Sequence, residues 1–233
     1  YAHGGRELTE EQERRYLESI VSRSKRIPLQ HILGKTEFMG LTFEVNQDVL
    51  CPRPDTEILV EEVLKHLHDG MRILDIGTGS GCILLSLLHY SNDCRGVGAD
   101  ISEKALRTAR ANAERLSAEG VSFAESDLFA EIEGQFEIIV SNPPYIRRAD
   151  IENLMPEVRD HDPRTALDGG EDGLFFYREI TAGAKDHLPR GGMLFYEIGY
   201  DQGEAVRRIM EESGFREIEI VKDFSGLDRV VFG

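Results

Sequence analysis

The sequence lacks several features, and each absence excludes a class of protein or of binding partner. It has no tryptophan, so intrinsic fluorescence would report ligand binding poorly. No apolar run approaches the roughly 18 residues of a membrane-spanning helix, and no secretory signal is visible. We therefore expect no membrane association and a cytoplasmic protein.

Positive charge is also scarce, since 27 lysine and arginine residues face 43 acidic residues, for a net charge of −16. Binding to a nucleic-acid backbone depends on lysine and arginine, so we expect no direct nucleic-acid partner. An acidic surface suits a basic protein partner better.

Cysteine is rare too, at Cys51, Cys82 and Cys94, with no Cys-x-x-Cys pair. This usage is typical of free thiols in a reducing compartment. A zinc site usually needs closely spaced ligands, and none of the seven histidines stands beside a cysteine in the sequence. The expectation is no disulfide and no metal.

The N-terminal part predicts a helix followed by a hairpin. Residues 9–26 read as a helix with an apolar face, opened by a Thr9–Gln12 capping box and ended before Pro28. That face needs a partner, which would be the main domain or further N-terminal helices. The abrupt start at Tyr1 suggests that such residues precede it. Residues 36–50 predict a β-hairpin around Gly40.

From Thr56 onward, helical and strand patterns alternate. Helices are predicted at residues 56–68, 81–90, 102–116, 173–187 and 201–213. Strands are predicted at residues 72–76, 96–100, 121–125, 136–141, 192–198, 216–222 and 228–232. Alternating elements with apolar strands indicate a mostly parallel sheet covered on both faces, and the last two strands suggest an antiparallel pair.

The first strand–helix junction carries a glycine-rich loop. Ligands of open α/β sheets bind at the carboxyl ends of strands, and glycines there allow close backbone approach. Asp100, next to Ile101, ends the second strand, where a carboxylate can accept both hydroxyls of a ribose. Asp127 and Leu128 follow the third strand, placed to bind an adenine edge. The predicted cofactor-binding residues of the loop are Asp75, Gly77, Thr78, Gly79, Ser80 and Gly81.

Two cofactor classes compete for this loop. A nicotinamide dinucleotide prefers G-x-G-x-x-G, whereas this loop is G-x-G-x-G preceded by Asp75. A carboxylate there would repel a pyrophosphate but suits a cofactor with an ammonium and a sulfonium. The pattern resembles that of class I methyltransferases, which use S-adenosylmethionine.

Asn142-Pro143-Pro144-Tyr145 follows a predicted buried strand. The Asn142 side-chain oxygen and the Pro143 carbonyl can accept the two hydrogens of a planar NH2 group. Prolines stiffen the backbone, and the Tyr145 ring can lie against the face of that group. An ordinary proline-rich turn is the alternative.

Further segments extend the resemblance. They are Arg26–Gly34, Phe38–Phe43, Pro52–Glu57, Asp162–Gly173, Glu197–Gly199 and Lys222–Arg229. Together with Asn142–Tyr145, they make residues 6–233 resemble the peptide chain release factor glutamine N5-methyltransferase family, also called PrmC or HemK. Three positions depart from the resemblance: His31 stands for a usual tyrosine, Cys51 for an aliphatic residue and Asp162 for a glutamate.

The resemblance implies an α/β fold with a seven-stranded, mostly parallel, Rossmann-like sheet. It implies a truncated helical appendage at residues 1–33, a β-hairpin linker at 34–55 and a catalytic domain at 56–233. The implied reaction moves a methyl group from S-adenosylmethionine to the glutamine amide nitrogen of the Gly-Gly-Gln loop of release factors. S-adenosylhomocysteine is the product, and no metal or obligatory general base is implied. Asn142, Pro143, Pro144 and Tyr145 would bind the substrate, and Asn142 would also touch the cofactor.

Three alternatives remain at this stage. The same motif serves adenine-N6 methyltransferases of nucleic acid, which would need a basic groove, and ribosomal-protein glutamine methyltransferases. A non-catalytic cofactor-binding module is the third.

Several other side chains carry two interpretations. Arg53, Thr56 and Glu57 either shape the methionine pocket or cap a helix. Glu197 either faces the site or makes structural hydrogen bonds. Arg147 and Arg148 either orient the substrate loop or are solvated, and His161 is expected at the surface.

Overall fold

The computed structural model describes residues 7–233, and it confirms the predicted alternation of strands and helices. The N-terminal elements are α1 (Glu10–Ser24), α2 (Leu29–Leu33), β1 (Lys35–Phe38) and β2 (Leu41–Glu44). They are followed by α3 (Pro54–His66), β3 (Arg72–Ile76), α4 (Cys82–His89), β4 (Arg95–Asp100), α5 (Glu103–Arg115), β5 (Val121–Glu125) and β6 (Ile138–Ser141). The C-terminal elements are α6 (Pro156–Arg159), α7 (Phe175–His187), β7 (Met193–Glu197), α8 (Gly203–Glu212), β8 (Glu219–Lys222) and β9 (Asp228–Phe232).

Seven strands form one sheet in the order β5-β4-β3-β6-β7-β9-β8. Strands β3 to β7 run parallel, and β9 pairs antiparallel with both β7 and β8. The chain moves outward from β3 to β4 and β5, then returns to place β6 on the other side of β3. This reversal makes the β3–β6 boundary the switch point of the sheet, where ligands of open α/β folds bind.

The strands are apolar on both faces because helices cover both. Alternate residues of a strand point to opposite sides, so Ile73 joins a core with α3 and α4, whereas Leu74 joins a core with α7 and α8. Phe195 and Leu194 of β7 divide in the same way. This two-sided burial explains the unalternated apolar strands seen in the sequence.

The N-terminal helix forms as predicted, and the structure excludes one of the two partners expected for its apolar face. Thr9 caps α1, and both hydrogen bonds of the capping box with Gln12 are present. The main domain does not cover the apolar face of α1, since no α1 residue is buried. Instead, Arg23 and Arg26 each place a guanidinium nitrogen 3.0 Å from a Glu157 carboxylate oxygen, which ties the end of α1 to α6.

The predicted hairpin is present as the antiparallel pair of β1 and β2. Short elements were missed, namely α2, α6 and the 3-10 turns at Arg148–Asn153 and Arg164–Ala166. Each spans at most two helical turns, too little for a helical period to show. The division at residues 33 and 55 stays a prediction. Within residues 7–233, no helix combines the length and apolarity required to cross a bilayer.

Two phenylalanines provide a test of the core. Phe195 is fully buried and stacks on Phe232 with ring centroids 5.0 Å apart, whereas Phe224 is 98% exposed. We expect Phe195→Ala to lower the free energy of unfolding by about 3–5 kcal/mol, because it leaves a cavity. The matched Phe224→Ala should stay within about 0.5 kcal/mol of the parent. Urea unfolding followed by circular dichroism measures both, and equal losses would contradict this core.

Candidate active site

The site is built where β3 and β6 end together. Ile76 pairs with Ser141 in the parallel ladder, and the Ser141 hydroxyl donates a 2.7 Å hydrogen bond to the Ile76 carbonyl. The next residues are Gly77 on one strand and Asn142 on the other. The glycine loop and the Asn-Pro-Pro-Tyr motif, far apart in sequence, therefore begin side by side.

Backbone geometry explains the glycines of the loop. Gly77 and Gly79 have φ of +73° and +56°, a region that side chains other than glycine rarely adopt. The N–H groups of Gly77 and Thr78 both donate to the carbonyl of Ala99 at the end of β4, at 2.8 and 3.0 Å. The loop is thus fastened to the neighbouring strand before α4 begins.

Asp75 lies beneath this loop and is completely buried. Its Oδ2 accepts a 2.7 Å hydrogen bond from the Thr78 hydroxyl, while Oδ1 has no hydrogen-bond partner within residues 7–233. Burial raises the pKa of Asp75 to about 7, and the Thr78 hydrogen bond offsets part of that rise. Asp75 therefore holds the loop from below, with one acceptor atom unused.

Asp100 connects the glycine loop to the start of α5. Its Oδ2 accepts from the Gly79 N–H and its Oδ1 from the Ser102 N–H, both at 2.9 Å. A carboxylate has about four lone-pair sites, so each oxygen can accept another hydrogen bond. Asp127 and Leu128 follow β5 at the same edge, Asp127 exposed and Leu128 partly buried.

These strand ends enclose a cavity of about 1030 Å³. The predicted residues on its wall are Gly77, Thr78, Gly79, Ser80, Asp100, Ile101, Asp127, Leu128, Asn142, Pro143 and Pro144. Asp75, Gly81 and Tyr145 do not line it. One cavity therefore contains most of the predicted cofactor residues and three of the four motif residues.

The motif is held from one side by α3. The Asn142 side-chain nitrogen donates to the Thr56 hydroxyl at 3.4 Å, and this contact leaves the Asn142 amide oxygen available. Thr56 and Arg53 both line the cavity, so they shape the pocket. Glu57 does not, because it accepts a 2.6 Å hydrogen bond from the Met39 N–H in the hairpin.

The motif is held from the other side by residues 167–173. The Ile146 N–H donates to the Leu167 carbonyl, and the Gly169 N–H donates to the Ile146 carbonyl at 2.8 Å. A side-chain carbon on Gly169 would lie 2.8 Å from the Pro144 carbonyl oxygen, so only glycine fits there. The Ala-Leu-Asp-Gly-Gly segment is therefore a brace for the motif backbone.

A buried glutamate supports the motif from below. Glu197, at the end of β7, is 2% exposed, and its Oε2 has no hydrogen-bond partner within residues 7–233. Burial raises the pKa of Glu197 to about 7, opposed by hydrogen bonding from the Thr56 and Tyr145 side chains and by the charge of Arg229. Burial also raises the pKa of Tyr145, and the nearby Glu197 charge adds to that rise. Glu197 thus faces the motif rather than only finishing a strand.

Comparison with known proteins identifies the family. The methyltransferase small domain model matches residues 53–160, and the PrmC N-terminal domain model matches residues 1–34. A release factor glutamine methyltransferase of Clostridium acetobutylicum is 46% identical, over 97% of this chain and 81% of its own length. One of Geobacter sulfurreducens is 47% identical, over 92% of this chain and 75% of its own. The chain belongs to the release factor glutamine methyltransferase family.

The fold agrees with this membership. A solved methyltransferase from Pyrococcus furiosus superposes with a TM-score of 0.61 at 20% identity, covering 96% of this chain and 98% of its own. The shared architecture is that of class I methyltransferases, a family fold that implies the use of S-adenosylmethionine.

Charged residues after the motif have mixed roles. Arg147 pairs with Asp201 at 2.7 Å outside the cavity, while Arg148 pairs with Asp168 at 2.9 Å and both of these line it. His161, expected at the surface, is only partly exposed there. Its Nε2 lies 3.2 Å from the Lys25 carbonyl at the end of α1, a tertiary contact that local sequence does not show.

The buried Glu197 carboxyl generates a test of pH dependence. Its pKa is raised from 4.5 to about 7 in the native state, so the native state holds the proton more tightly than the unfolded state. The stability it contributes is present below about pH 4.5 and is lost as the pH rises to about 7. The unfolding free energy of the parent should therefore fall as the pH rises from 5 to 7. In Glu197→Gln this fall should be less steep than in the parent, by up to about 1.4 kcal/mol per pH unit.

Urea unfolding at several pH values measures this slope. The exposed Glu119→Gln is the matched control, since it removes an equal charge from the surface. An unchanged slope in Glu197→Gln would mean that this carboxyl is not the buried titrating group described above.

Proposed function

We propose that this protein transfers a methyl group from S-adenosylmethionine to the side-chain amide nitrogen of the glutamine in the Gly-Gly-Gln loop of peptide chain release factors. The observation that carries the proposal is the position of Asn142 and Pro143 on the wall of the same cavity as the glycine loop. Membership of the family supports the substrate class.

The cavity suits the cofactor in size and in chemistry. Its volume of about 1030 Å³ lies at the upper end of ligand pockets, as expected for a site that admits a nucleoside cofactor and a substrate side chain. Asp100 would accept the ribose hydroxyls, with Ile101 beside it, and Asp127 and Leu128 would bind the adenine edge. Backbone groups of residues 77–81 would surround the methionine part, with Asp75 below them. When bound, S-adenosylmethionine supplies an electrophilic methyl group on a sulfonium.

Positioning by the motif explains how a weak nucleophile is used. An amide nitrogen delocalises its lone pair into the carbonyl, so it attacks only when it is well aligned. Asn142 would accept one amide hydrogen at its side-chain oxygen, and the Pro143 carbonyl would accept the other. Aligned reactants gain several kcal/mol of barrier reduction. The same two acceptors stabilise positive charge as it develops on nitrogen.

Contacts behind the motif keep the two acceptors in place. The Asn142 side-chain nitrogen donates to the Thr56 hydroxyl, which leaves the Asn142 oxygen free to accept from a substrate. Gly169 fixes the backbone at Pro144, and Tyr145 would pack on the amide and exclude water. In this proposal, methyl transfer needs no obligatory general base and no metal.

The surface charge favours a protein substrate over nucleic acid. A net charge of −16 opposes the phosphate-backbone contacts that an adenine-N6 methyltransferase would use. In this proposal, residues 56–233 form the catalytic domain, residues 34–55 link it, and residues 1–33 belong to the substrate-binding helices. The match of the PrmC N-terminal domain model to residues 1–34 supports the last assignment.

Mass spectrometry of a release factor incubated with this protein and S-adenosylmethionine tests the proposal. We expect one added methyl group on the Gly-Gly-Gln peptide and none on a Gly-Gly-Ala variant of the same factor. Asn142→Ala should slow the transfer by at least about 100-fold, because the amide nitrogen loses its alignment. Cofactor binding, measured by calorimetry, should persist.

The control is Asn92→Ala, which removes an exposed asparagine away from the cavity and should keep the parent rate. Methylation at full rate by Asn142→Ala would overturn the role of the motif. An unmodified release factor, with cofactor binding intact, would overturn the substrate assignment.

Two substitutions at Tyr145 separate ring packing from hydroxyl chemistry. Tyr145→Phe keeps the ring and loses only the hydroxyl that interacts with Glu197, so we expect a rate loss below about tenfold. Tyr145→Ala should lose more, because the packing surface disappears. Single-turnover methylation with saturating cofactor measures both, and equal losses would show that the hydroxyl, not the ring, is what matters.

A further inference from the structure

A cluster of three side chains lies at the edge of the cofactor cavity, and the proposed methyl transfer assigns none of the three a role. His31 comes from α2, Cys51 from the segment between β2 and α3, and Asp162 from the loop after α6. The ligand atoms of all three lie within 4.8 Å of one another. Sequence spacing gave no sign of this, because the three residues belong to distant segments.

The cluster contains unused acceptor atoms in a buried place. Nε2 of His31 and Oδ1 of Asp162 are buried, and neither has a hydrogen-bond partner within residues 7–233. The Asp162 side chain is fully buried and Cys51 is 1% exposed. A buried acceptor without a partner loses the hydrogen bonds it made to water, and the loss is larger when it is charged, so a group that satisfies both atoms would be favoured.

The surroundings of Asp162 and His31 favour their role as ligands. Arg53 donates to Asp162 Oδ2 at 2.9 Å, which orients the carboxylate and leaves Oδ1 towards the cluster. Nε2 of His31 has no hydrogen-bond partner within residues 7–233, and the Val49 backbone is near enough to the ring to affect its pKa. A backbone partner on the other ring nitrogen would leave the lone pair on Nε2, as in metal-bound histidines.

We propose that His31, Cys51 and Asp162 form a binding site for a thiophilic divalent cation of the zinc class. An imidazole nitrogen, a thiolate and a carboxylate oxygen are the ligands that Zn²⁺ prefers, and three protein ligands leave one position for water. On binding, the Cys51 thiol releases its proton to solvent, and the sulfur forms a bond to the metal. One thiolate and one carboxylate neutralise the charge of the ion.

The ion would join three segments around the cofactor cavity. Cys51 lines that cavity, as do Pro52 and Pro163, the chain neighbours of Cys51 and Asp162. Bridging α2, the segment before α3 and the loop after α6 would stiffen this wall. The site goes beyond the proposed methyl transfer and does not depend on it.

Cobalt titration of the reduced, metal-free protein tests the site, because Co²⁺ replaces Zn²⁺ and has a visible spectrum. We expect thiolate-to-cobalt absorption that saturates at one equivalent and disappears when Zn²⁺ is added. Cys51→Ser should abolish that absorption, while Cys94→Ala, which removes another buried thiol, should keep it. His31→Gln should weaken cobalt binding by at least roughly tenfold.

Thermal unfolding gives a second readout that does not involve activity. Zn²⁺ should raise the midpoint for the parent protein and for Cys94→Ala, but not for Cys51→Ser. The parent titration decides the case even if a variant fails to fold. No saturable cobalt absorption, or absorption that survives in Cys51→Ser or is lost in Cys94→Ala, would overturn the proposal. Methylation of the release factor is measured separately, so either proposal can fail alone.

Discussion

The in-register pairing of β3 with β6 is the constraint on which the rest of the site depends. Ile76 and Ser141 end their strands at the same level, and the Ser141 hydroxyl fastens the two ends together. A slip of one residue would turn every side chain of the slipped strand to the opposite face. The strands are apolar and packed on both sides, so the register is fixed by burial, and the distance between the two motifs is fixed with it.

Other segments of the chain hold the Asn-Pro-Pro-Tyr motif in place. Prolines limit the local backbone, but they cannot set its position relative to the glycine loop. That position comes from Thr56 on α3, from Gly169 in the brace and from the buried Glu197 under Tyr145. Three separate segments of the chain thus support the four residues of the motif. A positioning mechanism needs this rigidity, because small errors in alignment are costly.

Sequence reasoning predicted what is local and missed what is brought together by folding. The strand and helix order, the capping box at Thr9 and the two motifs each leave a pattern within a few residues, and these were found. The helix α2 and the short turns after Tyr145 are too brief to show a period. The place of His161 and the neighbourhood of His31, Cys51 and Asp162 depend on contacts across the whole chain. Glu197 was recognised as a candidate, but its direction could be decided only from the packed sheet.

Three buried or half-buried carboxylates in this site each interact with neighbouring hydrogen-bond donors. Asp75 holds the Thr78 hydroxyl, Asp100 holds two backbone N–H groups, and Glu197 interacts with Thr56 and Tyr145. In each case the carboxylate holds a neighbouring donor in place, and the held groups give the cavity its shape.

The same burial has an energetic consequence. Burial raises the pKa of all three carboxyls, so hydrogen bonds and charges within the protein do not fully offset the cost of burying their negative charge. A cofactor with a net positive charge offsets part of that cost, whereas an anionic dinucleotide would increase it. The burial of these acids therefore supports the proposed cationic cofactor over a dinucleotide.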